Sequence, residues 1–113
     1  MSELSQQTCE ACRADAPRLS PDEIEFQLSK IPDWKVIQAD GVNQLVRVFA
    51  FKNFVEAQSA AVILGELAES QNHHPALLVE WGRLTVYWWT HKIAGLHKND
   101  VIMAAKTDRL IGK

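Results

Sequence analysis

Between Glu69 and His91 the chain gathers three of its four histidines. His73 and His74 are adjacent and run into Pro75, and His91 closes a segment that reads as a β-hairpin. Imidazole is the side chain best suited to exchanging protons near neutral pH, so three of them at one sheet edge would make an acid–base site. Neighbouring side chains on an extended backbone point in different directions. His73 and His74 therefore address a common pocket only if the bend that carries them is fixed. Pro75 supplies that constraint, because it sets its own φ and disfavours helix for the residue before it. A preceding helix must then finish near residues 70–72 and leave both imidazoles on its exit loop. Glu69 in that last turn reads by itself as a solvated acid opposed to the helix dipole. Beside a histidine pair it becomes a candidate to orient an imidazole. His73, His74, His91 and Glu69 also hold enough donors for zinc, which is a rival chemistry. Against that rival, adjacent histidines rarely converge on one ion.

The elements that must position these groups follow from local pattern. Ser20-Pro21-Asp22-Glu23 opens a helix, with Ser20 as cap, Pro21 at the first helical position and Glu23 completing a capping box. Ile24, Phe26, Leu28 and Ile31 predict a short amphipathic helix over 21–30, ended by Pro32-Asp33. Strands are expected at 34–39 and 44–51 about an Asp40-Gly41 hairpin turn. The second strand is apolar on both faces, which suits a sheet covered on one side and partly shielded on the other by a partner or a ligand. Asn53 caps a long helix over 54–70, in which Phe54, Ala57, Ala61, Leu64 and Ala68 form one buried stripe that Ala60 and Leu67 widen.

A second hairpin is expected from 76–81 and 84–91, turning at Gly82-Arg83. Leu84, Val86 and Trp88 share the face toward the helices. Thr85, Tyr87, Trp89 and His91 share the other face, an aromatic and hydrogen-bonding surface suited to a flat heteroaromatic ligand. Residues 92–99 read as a loop with Gly95 as its flexible point. A closing helix over about 98–110 carries Asp100 in its first turn, with Val101, Ile102, Ala105 and Leu110 on its apolar side. The order α-β-β-α-β-β-α predicts an α+β domain: a four-stranded antiparallel sheet with helices packed on one face.

This domain is expected over residues 19–113, behind a polar, aperiodic and flexible tail over 1–18. In that tail Cys9 and Cys12 form a lone CxxC, for which no second pair completes a zinc site. A net charge of −2 leaves no electrostatic footprint for nucleic acid. No apolar run reaches the ~18 residues of a membrane span, and the N-terminus lacks the basic start and apolar stretch of a signal peptide. A cytoplasmic protein is expected.

Glu69-x-x-Asn72-His73-His74-Pro75, followed by Thr90-His91, Ala94-Gly95-Leu96 and Asp100, resembles the pterin-4a-carbinolamine dehydratases over about residues 20–110. The resemblance implies a hydro-lyase that removes water from a 4a-hydroxytetrahydropterin to give quinonoid dihydropterin, supporting pterin recycling for an aromatic amino acid hydroxylase. It implies His73, His74 and His91 as the catalytic trio, with His74 and His91 as alternative proton donors and His73 as positioning group and base. Glu69, Asp100, Trp89 and Thr90 would orient imidazoles or bind substrate. No metal and no cofactor is required, and a homodimer or homotetramer is implied. The resemblance also leaves a dimerisation or regulatory binding role open beside the enzymatic one.

Overall fold

Pro21–Leu28 forms α1 in the computed structural model, which describes residues 18–112. Its capping box is complete: Ser20 Oγ accepts from the Glu23 amide at 3.2 Å, and Glu23 Oε1 accepts from the Ser20 amide at 2.9 Å. Ile24 and Leu28, four residues apart, pack on the core together with Leu19. Phe26 was expected on that side but is 61% exposed, because it lies half a turn away from its apolar neighbours. Cys9 and Cys12 lie outside the described residues.

The first hairpin pairs β1 (Lys35–Ala39) with β2 (Val42–Ala50). Its turn residues Asp40 and Gly41 both have positive φ, 53° and 77°, as a two-residue turn matched to strand twist requires. Asn53 then caps α2 (Phe54–Gln71) by accepting from the Glu56 amide at 2.9 Å. Ala57, Ala60, Leu64 and Ala68 are the buried stripe of α2, while Phe54 at its start is exposed.

The second hairpin joins β3 (Ala76–Glu80) to β4 (Arg83–Trp88). The turn is Trp81-Gly82, one residue earlier than expected. Gly82 takes the positive φ of 73°, and Arg83 is freed to enter the strand and pair with Glu80 at 3.1 Å. A 3-10 turn over His91–Ile93 follows, and α3 (Lys98–Ile111) closes the chain.

The sheet is antiparallel in the order β1-β2-β4-β3, with α2 and α3 against it. Leu45 pairs with Trp88 and Phe49 with Leu84 across the centre. These side chains, with Leu64, Val86, Val101 and Met103, form the core. The buried side of α3 is broader than expected. Met103, Ala104 and Thr107 are buried beside Val101 and Ile102, while Leu110 is exposed. Position 110 shares the face of 103 and 107, but it lies in the last turn of α3, past Thr107, the last buried residue of the helix. On the open face of the sheet Val48 and Leu78 flank Thr85 across three strands and are themselves exposed.

Arg47 lies on the helix-facing side of β2, where an apolar residue would ordinarily stand. Its guanidinium covers the Phe49 ring at 4.3 Å and donates to Asp108 of α3. Asp108 also accepts from the Trp34 indole at 2.8 Å. Burial pushes the Asp108 carboxyl above its ordinary value, opposed by the hydrogen bonds from Trp34 and Arg47 and by the Arg47 charge. The folded protein thus holds that proton more tightly than the unfolded chain, and stability from this group alone rises as pH falls through its folded value. Asp108→Ala is expected to destabilise the fold by about 2–3 kcal/mol at neutral pH, since it strands an indole donor and a half-buried guanidinium. Denaturant unfolding measures it, and a change under about 0.5 kcal/mol, as at an ordinary surface position, would show that solvent replaces the pair.

Candidate active site

The end of α2 separates the two adjacent histidines. Asn72 adopts the left-handed conformation, φ 52°, that commonly ends a helix. The His73 amide returns to the Ala68 carbonyl at 3.2 Å, and Pro75 holds the next residues extended ahead of β3. The two side chains leave this bend in opposite directions. His73 turns inward and is 4% exposed, whereas the His74 side chain is 54% exposed.

His73 is gripped from two sides. Its ring lies nearly parallel to the fully buried Trp88 indole, 5.5 Å between centroids and 11° between planes. Trp88 is itself held by donating to Thr107 Oγ1 at 3.1 Å. At the ring's edge, Nε2 meets Asp100 Oδ1 at 2.7 Å. The second carboxylate oxygen, Oδ2, accepts from Thr90 Oγ1 at 2.8 Å and from the His97 amide at 2.9 Å. Asp100 has no exposed surface. A carboxylate oxygen accepts, so Nε2 is the donor of this bond.

His74 and His91 face solvent. His74 Nε2 lies 2.9 Å from Glu69 Oε2, a short link between the last turn of α2 and the loop it feeds. His91 was expected at the end of a strand but opens the 3-10 turn instead. Strand pairing stops because Thr90 turns back on Gly95: the Thr90 amide reaches the Gly95 carbonyl at 2.9 Å. The positive φ that permits this reversal belongs to Ala94, 49°, and not to Gly95. Gly95 instead leaves room for Arg18, whose Cδ would stand 3.1 Å from an added Cβ, and whose Nε donates to the Ile93 carbonyl at 2.6 Å. The His91 ring stacks on Trp89 at 4.3 Å. β3 begins opposite the end of β4, with Ala76 facing Tyr87, so the loops that carry His74 and His91 leave from the same end of the sheet.

Asp100 ties these pieces together. Its two backbone-distant partners, His73 and Thr90, immediately precede His74 and His91 in the chain. One buried carboxylate thus anchors both loops that display the exposed imidazoles. Among the described residues no three His, Cys, Asp or Glu side chains gather in a way that could hold a metal ion. His73 faces the core and His74 faces Glu69, which parts the donors that a zinc site would need.

His97 was missed by the motif reading. It caps α3, and its Nδ1 accepts from the Asn99 amide at 3.1 Å. The signal was present as an acid three residues beyond a candidate cap, but histidine is not among the usual N-caps.

A family profile described as pterin 4 alpha carbinolamine dehydratase matches residues 17–110. A protein of Saccharophagus degradans is 58% identical over 110 residues, covering 97% of each chain. One of Marinobacter nauticus is 57% identical, covering 97% of this chain and 99% of the relative. Both are named, provisionally, pterin-4-alpha-carbinolamine dehydratase. A crystal structure from Brucella melitensis, described as a transcriptional coactivator/pterin dehydratase, superposes with a TM-score of 0.75 at 29% identity, covering 85% of this chain and all (100%) of the other. The chain belongs to the pterin 4 alpha carbinolamine dehydratase family and is, with that family, a hydro-lyase.

Proposed function

We propose that the protein dehydrates a 4a-hydroxytetrahydropterin to quinonoid dihydropterin by histidine acid–base catalysis. In that reaction the bond from the ring carbon to its hydroxyl breaks, and the oxygen leaves as water after accepting a proton. The adjacent ring nitrogen loses its proton, and a carbon–nitrogen double bond forms. One imidazole must deliver a proton and another must receive one. The observation that carries this reading is a pair of exposed imidazoles at one sheet end, His74 backed by Glu69 and His91 stacked on Trp89.

His74 and His91 are the alternative donors, and the one not donating serves as base. The Trp89 ring offers the flat surface on which a pterin stacks. His73 contributes by position, because its Nε2 is committed to buried Asp100; the base role implied for it by resemblance passes to the exposed pair. Thr90 and Asp100 hold the loops, and Glu69 orients His74. The product then returns by reduction to an aromatic amino acid hydroxylase. We further propose that the chain works in the cytoplasm as a homodimer or homotetramer. No helix among the described residues is long and apolar enough to cross a membrane. The exposed apolar side chains Val48 and Leu78 on the sheet and Val62 and Ile63 on α2 support self-association.

The test is a coupled assay with chemically generated carbinolamine, the buffer-catalysed rate being subtracted. The enzyme-dependent rate is expected to fall on both sides of a pH optimum, since one imidazole must be charged and one neutral. A strong chelator should leave it unchanged. A flat profile would reduce the histidines to binding groups, and chelator loss reversed by zinc would establish metal chemistry in its place.

A further inference from the structure

We propose that His97 is a positioning residue for this site, acting through the cap of α3 on the Asp100 anchor. The cap has two halves. The His97 side chain accepts from the Asn99 amide, and the His97 backbone amide donates to Asp100 Oδ2 at 2.9 Å. The second half holds only while residue 97 keeps its extended backbone, φ −127° and ψ 164°. The imidazole bond at Asn99 stabilises that conformation, because it satisfies one of the amides that every helix start leaves without an intrahelical partner.

Three donors then converge on one carboxylate: His73 on Oδ1, Thr90 and the His97 amide on Oδ2. His73, Thr90, His97, Asn99 and Asp100 are all buried, so water cannot easily replace a lost partner. If the first turn of α3 frays, the Asp100 carboxylate turns with it and releases both His73 and Thr90. Each directly precedes one exposed imidazole, so the spacing between His74 and His91 loosens. The effect reaches the chemistry through geometry alone, since His97 touches no reacting atom.

The inference rests on the dehydratase reading for its kinetic arm, and it has a second arm that does not. Full-length His97→Ala, checked for folding by circular dichroism, is compared with His97→Asn, which restores a side-chain acceptor at the cap. In the alanine variant kcat is expected to fall about tenfold through misplacement of the proton carriers, with KM within about twofold. The ring nitrogen resonances of His73 should shift in the same variant. Asparagine should return both kcat and the His73 resonances toward wild type. If alanine prevents folding, His97→Gly is read in its place, because glycine is tolerated at a helix cap far better than alanine while still lacking the imidazole acceptor.

Unchanged His73 resonances in a folded alanine or glycine variant would overturn the proposal. So would an asparagine variant no better than alanine, since the cap would then not be what matters. A wild-type protein inactive on carbinolamine would overturn the dehydratase reading and leave the resonance comparison to decide the role of His97.

Discussion

Replacing both His74 and His91 with alanine is expected to abolish most enzyme-dependent dehydration while leaving the fold intact. A positioned acid or base contributes roughly 10²–10⁴-fold, so the double variant should lose at least about a hundredfold. Each single variant should lose at least about tenfold against mixed substrate, and should retain activity on one stereoisomer if the two imidazoles serve opposite faces of the ring. The fold should tolerate both changes. His74 bonds the exposed Glu69, and His91 lies on the half-buried Trp89 at the surface. Exposed substitutions of this sort usually move stability by less than about 0.5 kcal/mol. The decisive measurement pairs the coupled assay on resolved stereoisomers with thermal unfolding of the same samples. Wild-type turnover by a folded double variant would take proton transfer away from these two residues.

Asp100→Ala is expected to cost more stability than Asp108→Ala. The change leaves His73, the Thr90 hydroxyl and the His97 amide without their shared acceptor at a position with no exposed surface. Each stranded buried donor costs about 1–3 kcal/mol. Allowing for partial relaxation, a total on the order of 3–5 kcal/mol follows, a large share of the ~5–15 kcal/mol that holds a typical domain. For a domain near this size the melting temperature should fall by at least roughly 12 °C. Asp100→Asn keeps the shape and one acceptor oxygen, but it turns an N–H toward a donor, so its loss should lie between wild type and alanine. Scanning calorimetry of the three proteins gives the ranking. An alanine variant melting within a few degrees of wild type would mean that the three donors find other partners, and Asp100 would cease to be the anchor of the two loops.

Local chemistry by itself determined much of this molecule. Ser20-Pro21 with Glu23 starts one helix, Asn53 starts the next, and Asp40-Gly41 makes the first hairpin; each signal acts over a few residues and each is found where it was written. The break at Asn72–Pro75 was legible for the same reason, and so was the placing of both adjacent histidines on an exit loop. The motif set from Glu69 to Asp100 also carried the family resemblance that the profile match and the relatives bear out. Periodicity was less exact at helix edges. Phe26 is apolar yet exposed, because composition places a residue in a helix but only the packed core decides which arc is covered. Leu110 is exposed because α3 runs on past its last buried residue, Thr107.

The difference between His73 and His74 belongs to the tertiary structure alone. Nothing within the tripeptide says which imidazole turns inward. That choice is made by Asp100, 27 residues along the chain, and by the Trp88 ring beneath His73. The burial of Asp100 and the part played by His97 were hidden for the same reason. A carboxylate in the first turn of a helix looks like a surface acid until the folded chain brings His73 and Thr90 to it, and only then does its desolvation become tolerable through three hydrogen bonds.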